Sequence, residues 1–348
     1  MRRSTASNST NTSPAPVGDA SAFAGCDLRE DRLEAAAAPF AYRINREMPD
    51  RLISVKRLAD RKAIKTDRTF FRGIIMSVAS VMVYVDSEQQ EAGQVAVAGG
   101  IAKTFGAAVL GISAVAVEPP FVAEGVIIEQ TTEEDLKRIK AMLSAKEAWF
   151  KRVTGLPSET VEWRWALQYP TDFLVEQARA ADLVIVKRRT HTASHYRFFD
   201  PAGAMLRMGR PTLSVPERVT KLSGDRIVVG WKDTREARLA VRDAMPFLTR
   251  ASQVTIAEIC TSDEQDAARK RVRDVAGYLQ RHGVQCQNEI RVHTAEPDGG
   301  YLIRLASELD ADLIVAGGYG HSRLGEWIFG GMTETLLQQA PVCLLMSH

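Results

Sequence analysis

Asp312-Leu313-Ile314-Val315-Ala316-Gly317-Gly318-Tyr319-Gly320 sets a short apolar run directly ahead of a glycine-spaced loop, and Gly330-Gly331 follow ten residues later. A run of Leu, Ile and Val this short, bounded by glycine, reads as a buried strand. The residues from about Met332 to Gln339 read as a helix, so the order is strand, glycine loop, helix. That order suits a phosphate. Glycines let backbone N–H groups approach an anion with no Cβ in the way, and a helix N-terminus aims its positive end at the same place. A nucleotide is therefore the first ligand to consider. No Lys-Ser or Lys-Thr pair follows the glycines, which excludes the P-loop NTPase pattern, and the glycine spacing is not that of the dinucleotide fingerprint.

Working outward, the same strand occurs earlier in the chain. Ala181-Asp182-Leu-Val-Ile-Val186 matches Ala311 to Ala316, and Arg210-Pro211-Thr-Leu-Ser-Val215 matches Ala340 to Leu345, both at a separation of 130 residues. Val81 to Asp86 with the helical stretch Gln89 to Phe105 corresponds to Arg226 to Lys232 with Arg235 to Leu248. Internal repetition constrains a fold more strongly than local propensity. Each copy alternates short Val/Ile/Leu runs with helical patterns, the signature of parallel strands covered by helices on both faces. Strands are expected near 80–85, 107–117, 160–167, 182–187 and 211–215 in the first copy, with its longest helix from Glu133 to Val153. In the second they are expected near 226–231, 253–259, 284–293, 312–316 and 341–346. The fold class is α/β, with two tandem Rossmann-like domains at 76–216 and 225–348, each a five-stranded parallel sheet, joined by a linker near Pro216 to Gly224.

Composition fits this reading. The 348 residues exceed one small α/β domain, and 45% hydrophobic with 25% charged residues is ordinary for a globular protein. The net charge is +2 and the excess of basic residues falls in residues 1–75, leaving the remainder about neutral, so no nucleic acid partner is expected. Residues 1–75 read as a disordered or artefactual N-terminal extension. They open with a Ser/Thr/Asn/Pro-rich stretch, and Met76 just ahead of the first strand is an alternative start. Cys26, Cys260, Cys286 and Cys343 show no Cys-x-x-Cys pair and no histidine at metal spacing, so they read as reduced thiols of a cytoplasmic protein without a metal site. No run reaches the roughly 18 apolar residues of a membrane helix, so no membrane partner is expected.

The spacing Gly317-x2-Gly320-x9-Gly330, with the helix and the terminal strand Pro341 to Met346, resembles the nucleotide-binding loop of the universal stress proteins. The likeness extends over about residues 76–348. It implies adenine nucleotide alpha hydrolase-like domains, ATP (with the magnesium that accompanies it) as the ligand, and an Asp at the end of the first strand on the adenine or ribose end. It also implies association through the terminal strand. The strands at Pro211 and Pro341 would then pair as a pseudo-dimer within the chain, with a homodimer of whole chains as a further step. In the second copy Gly317, Gly320, Gly330 and Gly331 would form the phosphate cradle, assisted by Thr333, Lys232 or His321. The function implied is that of a cytoplasmic stress-response protein binding an adenine nucleotide as a signal.

The copies depart from that pattern in opposite ways. The first keeps the acid, Asp86, but its loop after the fourth strand, Lys187 to Gly203, has no glycine pair, and Asp200-Pro201 there reads as a helix N-cap and N1. Its basic residues Lys187, Arg188, Arg189 and Arg197 read either as a solvated loop or as an attractant for an acidic partner. The second keeps the glycines but has Lys232 where the family's acid falls, with Asp233 one step on, and Gly331 where the family has a Ser or Thr. Two other functions therefore stand beside signalling. One is an interaction module that binds no nucleotide and acts through protein partners. The other is a nucleotide hydrolase, for which no positioned base or nucleophile is present, since Ser87, Ser194 and Ser322 stand in no Gly-x-Ser-x-Gly elbow. No catalytic residue is assigned. Trp163 and Trp165 alternate along a strand and read as core or interface.

Overall fold

The computed structural model describes residues 77–87, 92–117, 121–123, 126–128, 131–188, 199–293, 298–319 and 331–348. The extension 1–75 and the residues Gly320, His321 and Gly330 lie outside them. All described residues belong to one unit, Arg68–His348.

The N-terminal half contains β1 (Ser80–Tyr84), α1 (Gly93–Phe105), β2 (Ala108–Ala114), β3 (Phe121–Ala123), β4 (Val126–Ile128), α2 (Glu133–Thr154), β5 (Val161–Ala166), α3 (Pro170–Gln177), β6 (Leu183–Lys187), α4 (Pro201–Met208) and β7 (Thr212–Val215). The C-terminal half contains β8 (Arg226–Trp231), α5 (Arg235–Leu248), β9 (Gln253–Cys260), α6 (Gln265–Arg281), β10 (Cys286–Val292), α7 (Asp298–Glu308), β11 (Leu313–Gly317), α8 (Gly331–Gln339) and β12 (Cys343–Ser347). The runs expected as strands are strands, with ends that differ by a few residues. The short antiparallel pair β3–β4, between β2 and α2, was not expected.

The strands form one sheet in the order β10-β9-β8-β11-β12-β7-β6-β1-β2-β5. Read outward from the middle, each half runs fifth, fourth, first, second, third, and every neighbouring pair is parallel except one. The exception is β12 against β7, antiparallel, with Leu345 opposite Leu213. The repeat implies two five-stranded sheets and the family resemblance sets the strands at Pro211 and Pro341 against each other; the two sets of five do join edge to edge there, as one sheet of ten strands. The physical reason is that β7 and β12 are short and buried on both faces, so each leaves an unsatisfied edge that the other completes.

The core follows from strand alternation. Val81, Val83, Ile185, Leu213, Ile227, Val229 and Leu345 all face α1, α2, α5 and α6, and with Phe150, Val241, Met245 and Val272 they make one core that runs through both halves. Phe105 of α1 meets Phe247 of α5 edge to face at 5.4 Å, tying the halves together on that side. The alternate residues supply two smaller cores beneath α3 and α4 and beneath α7 and α8. Met205 of α4 belongs to the core of the C-terminal half, a second crossing of the seam.

The repeated Asp explains part of the duplication. Asp182 Oδ2 accepts from the N–H groups of Ala79 and Ser80 at 2.8 and 3.0 Å, and Asp312 Oδ2 accepts from those of Ser223 and Gly224 at 3.0 and 2.8 Å. In both halves this carboxylate ties the start of the fourth strand to the residues that lead into the first. Trp163 is core, as expected: its ring lies 5.2 Å from Phe150 and its Nε1 donates to Leu143 O. Between the halves, Val219 N donates to Pro216 O in a turn that carries Val219 and Leu222 onto the shared core.

Candidate functional site

In open parallel sheets of this kind, ligands sit beyond the carboxyl ends of the strands where strand order reverses. In the C-terminal half that place lies between β8 and β11, where Gly317 ends β11 and Lys232 follows β8. Lys232 and Asp233 are exposed there, and Asp233 is committed to Arg238 at 2.6 Å. Thr234 caps α5, its hydroxyl accepting from Ala237 N–H at 3.3 Å.

Gly317 is where the first turn of α5 crosses the end of β11. A Cβ at Gly317 would stand 2.6 Å from Ala237 N and 2.8 Å from Glu236 C, so only glycine allows this approach. The left-handed conformation in the loop is taken by Tyr319, with φ of 56°, while Gly317 and Gly318 stay out of that region. The loop is then pinned from three sides. Gly318 N–H donates to Ser347 O at 2.9 Å, the His348 ring contacts Gly318 O at 3.1 Å, and Tyr319 N–H donates to the Thr333 hydroxyl at 3.4 Å.

Thr333 is buried, 5% exposed, so its hydroxyl sits inside the turn. Gly331, the first residue of α8, differs from Gly317: it is exposed, and among the described residues a Cβ there would meet nothing within 4 Å. Gly317, Thr333 and Tyr319 are thus brought together, Gly331 opens the helix to its surroundings, and Lys232 stands exposed at the end of β8. Gly320, His321 and Gly330 fall outside the described residues.

In the N-terminal half, Asp86 ends the first strand beside Lys146 of α2. Lys146 is only 3% exposed; burial lowers its pKa and the Asp86 carboxylate pulls it back up. Asp86 is half-buried and supplies the countercharge that this internal lysine feels. Asp200 is the N-cap of α4, Oδ1 accepting from Ala202 N–H at 3.0 Å, with Pro201 at N1 as its sequence suggests. Its other oxygen lies over Gly203, where a Cβ would come within about 2.3 Å.

Sequence reasoning missed Lys146, Glu236 and Tyr319. A lone Lys inside a long, charged helix carries no local signal, whereas Glu236 and Tyr319 matter through what the tertiary fold sets against them. Among the described residues no group of three or more His, Cys, Asp or Glu could hold a metal ion, and no helix is long and apolar enough to cross a membrane. Cys260 and Cys343 are buried and free, and Cys286 is half-buried and free.

The sheet order and the glycine loop beyond β11 define a doubly wound α/β protein with its crevice at the carboxyl ends of the strands. Residues 224–348 match the model of the universal stress protein family. A universal stress protein from Archaeoglobus fulgidus DSM 4304 superposes with a TM-score of 0.58 at 12% identity, over 76% of this chain and 94% of that one. At that identity the likeness is one of fold. A putative universal stress protein from Pseudomonas aeruginosa UCBPP-PA14 matches at 15% identity over 79% of this chain and 94% of that chain, with a TM-score of 0.46. A universal stress protein in complex with cAMP matches at 22% identity over 41% of this chain and 99% of that chain, with a TM-score of 0.29. No curated protein matches the chain.

Proposed function

We propose that this chain is a stress-response protein that binds an adenine nucleotide, ATP in the first instance, in its C-terminal half and uses it as a signal rather than a substrate. The observation that carries the reading is the open N-terminus of α8 at Gly331, set beyond the carboxyl end of β11 within the residues that match the family. First-turn N–H groups of a helix are donors without intrahelical partners, which suits a phosphate. Gly317 and Thr333 support the cradle from within by fixing the path of the loop, and Lys232 is an exposed cation at that end of the sheet. The N-terminal half, with Asp86 paired internally and Asp200 capping α4, is the structural partner in a pseudo-dimer formed through β7 and β12. A homodimer of whole chains is a further step of the same proposal.

One observation favours a second reading, an interaction module without nucleotide. Glu236 is nine-tenths buried, and its backbone and Cβ press against Gly317, which places a carboxylate near the loop that would hold phosphate. Calorimetric titration of the full chain with ATP and magnesium, and separately with AMP, decides between them. The expected result is one nucleotide per chain, lost in Gly331→Val, a substitution at an exposed helix start that meets none of the described residues. A folded wild type that takes up no nucleotide, or a Gly331→Val variant of unchanged affinity, sinks the nucleotide reading and moves the search to protein partners.

A further inference from the structure

A cavity of about 210 Å³ lies at the seam of the two halves and takes its walls from both, sharing Tyr319 and the first turn of α8 with the loop described above. Lys187 and Arg188 at the end of β6 and Asp200 at the start of α4 come from one half. Tyr319, with Glu334 and Gln338 of α8, comes from the other.

Arg188 is unusual among these. Its Nη2 donates to Val342 O across the seam at 3.3 Å, while its Nε is buried and has no hydrogen-bond partner. Burial draws the guanidinium's pKa down to about 10, so it stays charged at neutral pH. That Nε is closed to the cavity as well as to solvent, so what the cavity meets is the rest of the charged guanidinium.

The opposite charge is also present. Asp200 gives one oxygen to the cap of α4, and Glu334 accepts from Gln338 at 2.9 Å, yet both carboxylates line the space. Tyr319 faces them: burial, then Asp200 and Glu334, push its phenol pKa up, so it remains a neutral hydroxyl. A simple anion in this cavity would meet two carboxylates, and a simple cation would meet Lys187 and Arg188. Pro201, Ala202 and Leu337 supply apolar wall. The volume is below the roughly 300–1,000 Å³ of pockets for drug-sized ligands, which restricts the occupant to a small molecule.

We propose that the seam cavity binds a small zwitterion of the free amino acid type, its carboxylate on Arg188 and its ammonium toward Asp200 and Glu334. The hydrocarbon of such a ligand would lie on Ala202 and Leu337. Because its walls belong to both halves, occupancy would tighten the seam.

The test is calorimetric titration of the full chain with glycine, L-alanine and L-valine, with acetate and methylammonium as the two half-ligands. At least one amino acid should saturate the protein at concentrations where acetate and methylammonium do not. Arg188→Met and Glu334→Gln should each weaken it by about tenfold or more, the loss of a charged hydrogen bond. Glu334 is exposed, so Glu334→Gln keeps the test valid even if Arg188→Met fails to fold. Acetate or methylammonium binding as well as the amino acid, no uptake of any amino acid, or full affinity in Glu334→Gln would each overturn the assignment.

Discussion

Gly317 shows how one residue can serve a loop for a reason its sequence does not announce. Glycine at the end of a strand suggests positive φ or an approaching ligand, but here the tight approach is the backbone of α5 at 2.6 Å, and Tyr319 supplies the left-handed turn. Gly317→Ala should therefore lower stability by about 1–3 kcal/mol, the range for overpacking against atoms that cannot move aside. Urea denaturation measures it, and a variant of wild-type stability with impaired ligand binding would return Gly317 to the cradle. Cys343 offers a pH test at the same scale. Burial first, then Asp312, push its thiol from 9.0 up to about 12, against an opposing pull from Arg188. The folded state thus holds a proton that the unfolded chain releases near 9. The stability this contributes is complete below that value and is lost as pH rises toward about 12. Alkylation at pH 9 with peptide mapping should modify Cys343 far more slowly in the folded protein than in urea; equal rates would contradict the burial.

Elements, in contrast to single residues, were largely legible. Apolar runs such as Leu183 to Val186, 2% exposed or less throughout, can only be strands covered on both faces, and the 130-residue repeat places their counterparts. Pairing at a distance is not legible in the strands themselves: the family resemblance sets Pro211 to Val215 against Pro341 to Met346, but nothing local says that the pair is antiparallel, and β3–β4 is too short to leave a periodic trace. The candidate site was legible in part for the same reason: Gly317, Gly331, Thr333 and Lys232 lie in recognisable motifs, whereas Glu236 and Lys146 matter only through neighbours far along the chain. The β7–β12 pair makes its own prediction. Leu213 and Leu345 stand opposite each other, both fully buried in the core common to the two halves. Leu345→Ala should cost about 2–5 kcal/mol, the range for a buried Leu truncated in a core that cannot collapse. A cost below 1 kcal/mol in chemical denaturation would mean that the seam is loosely packed.

The whole molecule is held by one sheet and one core that both pass through the seam, reinforced by Phe105 on Phe247 and by Met205 reaching into the far half. Residues 77–348 should accordingly unfold in a single transition, seen alike by far-ultraviolet circular dichroism and tryptophan fluorescence. Two resolved transitions would show that the halves are independent bodies resting against each other. The antiparallel pairing of β7 with β12 also has a kinetic meaning. Two separate subunits meeting through such strands part on dilution, at a rate and extent set by their concentration. Tethered in one polypeptide by the short segment from Pro216 to Gly224, the partner strand is present at an effective concentration that dilution cannot change. Each half is thereby relieved of having to recognise a copy of itself, and either can lose a ligand contact without the assembly being lost.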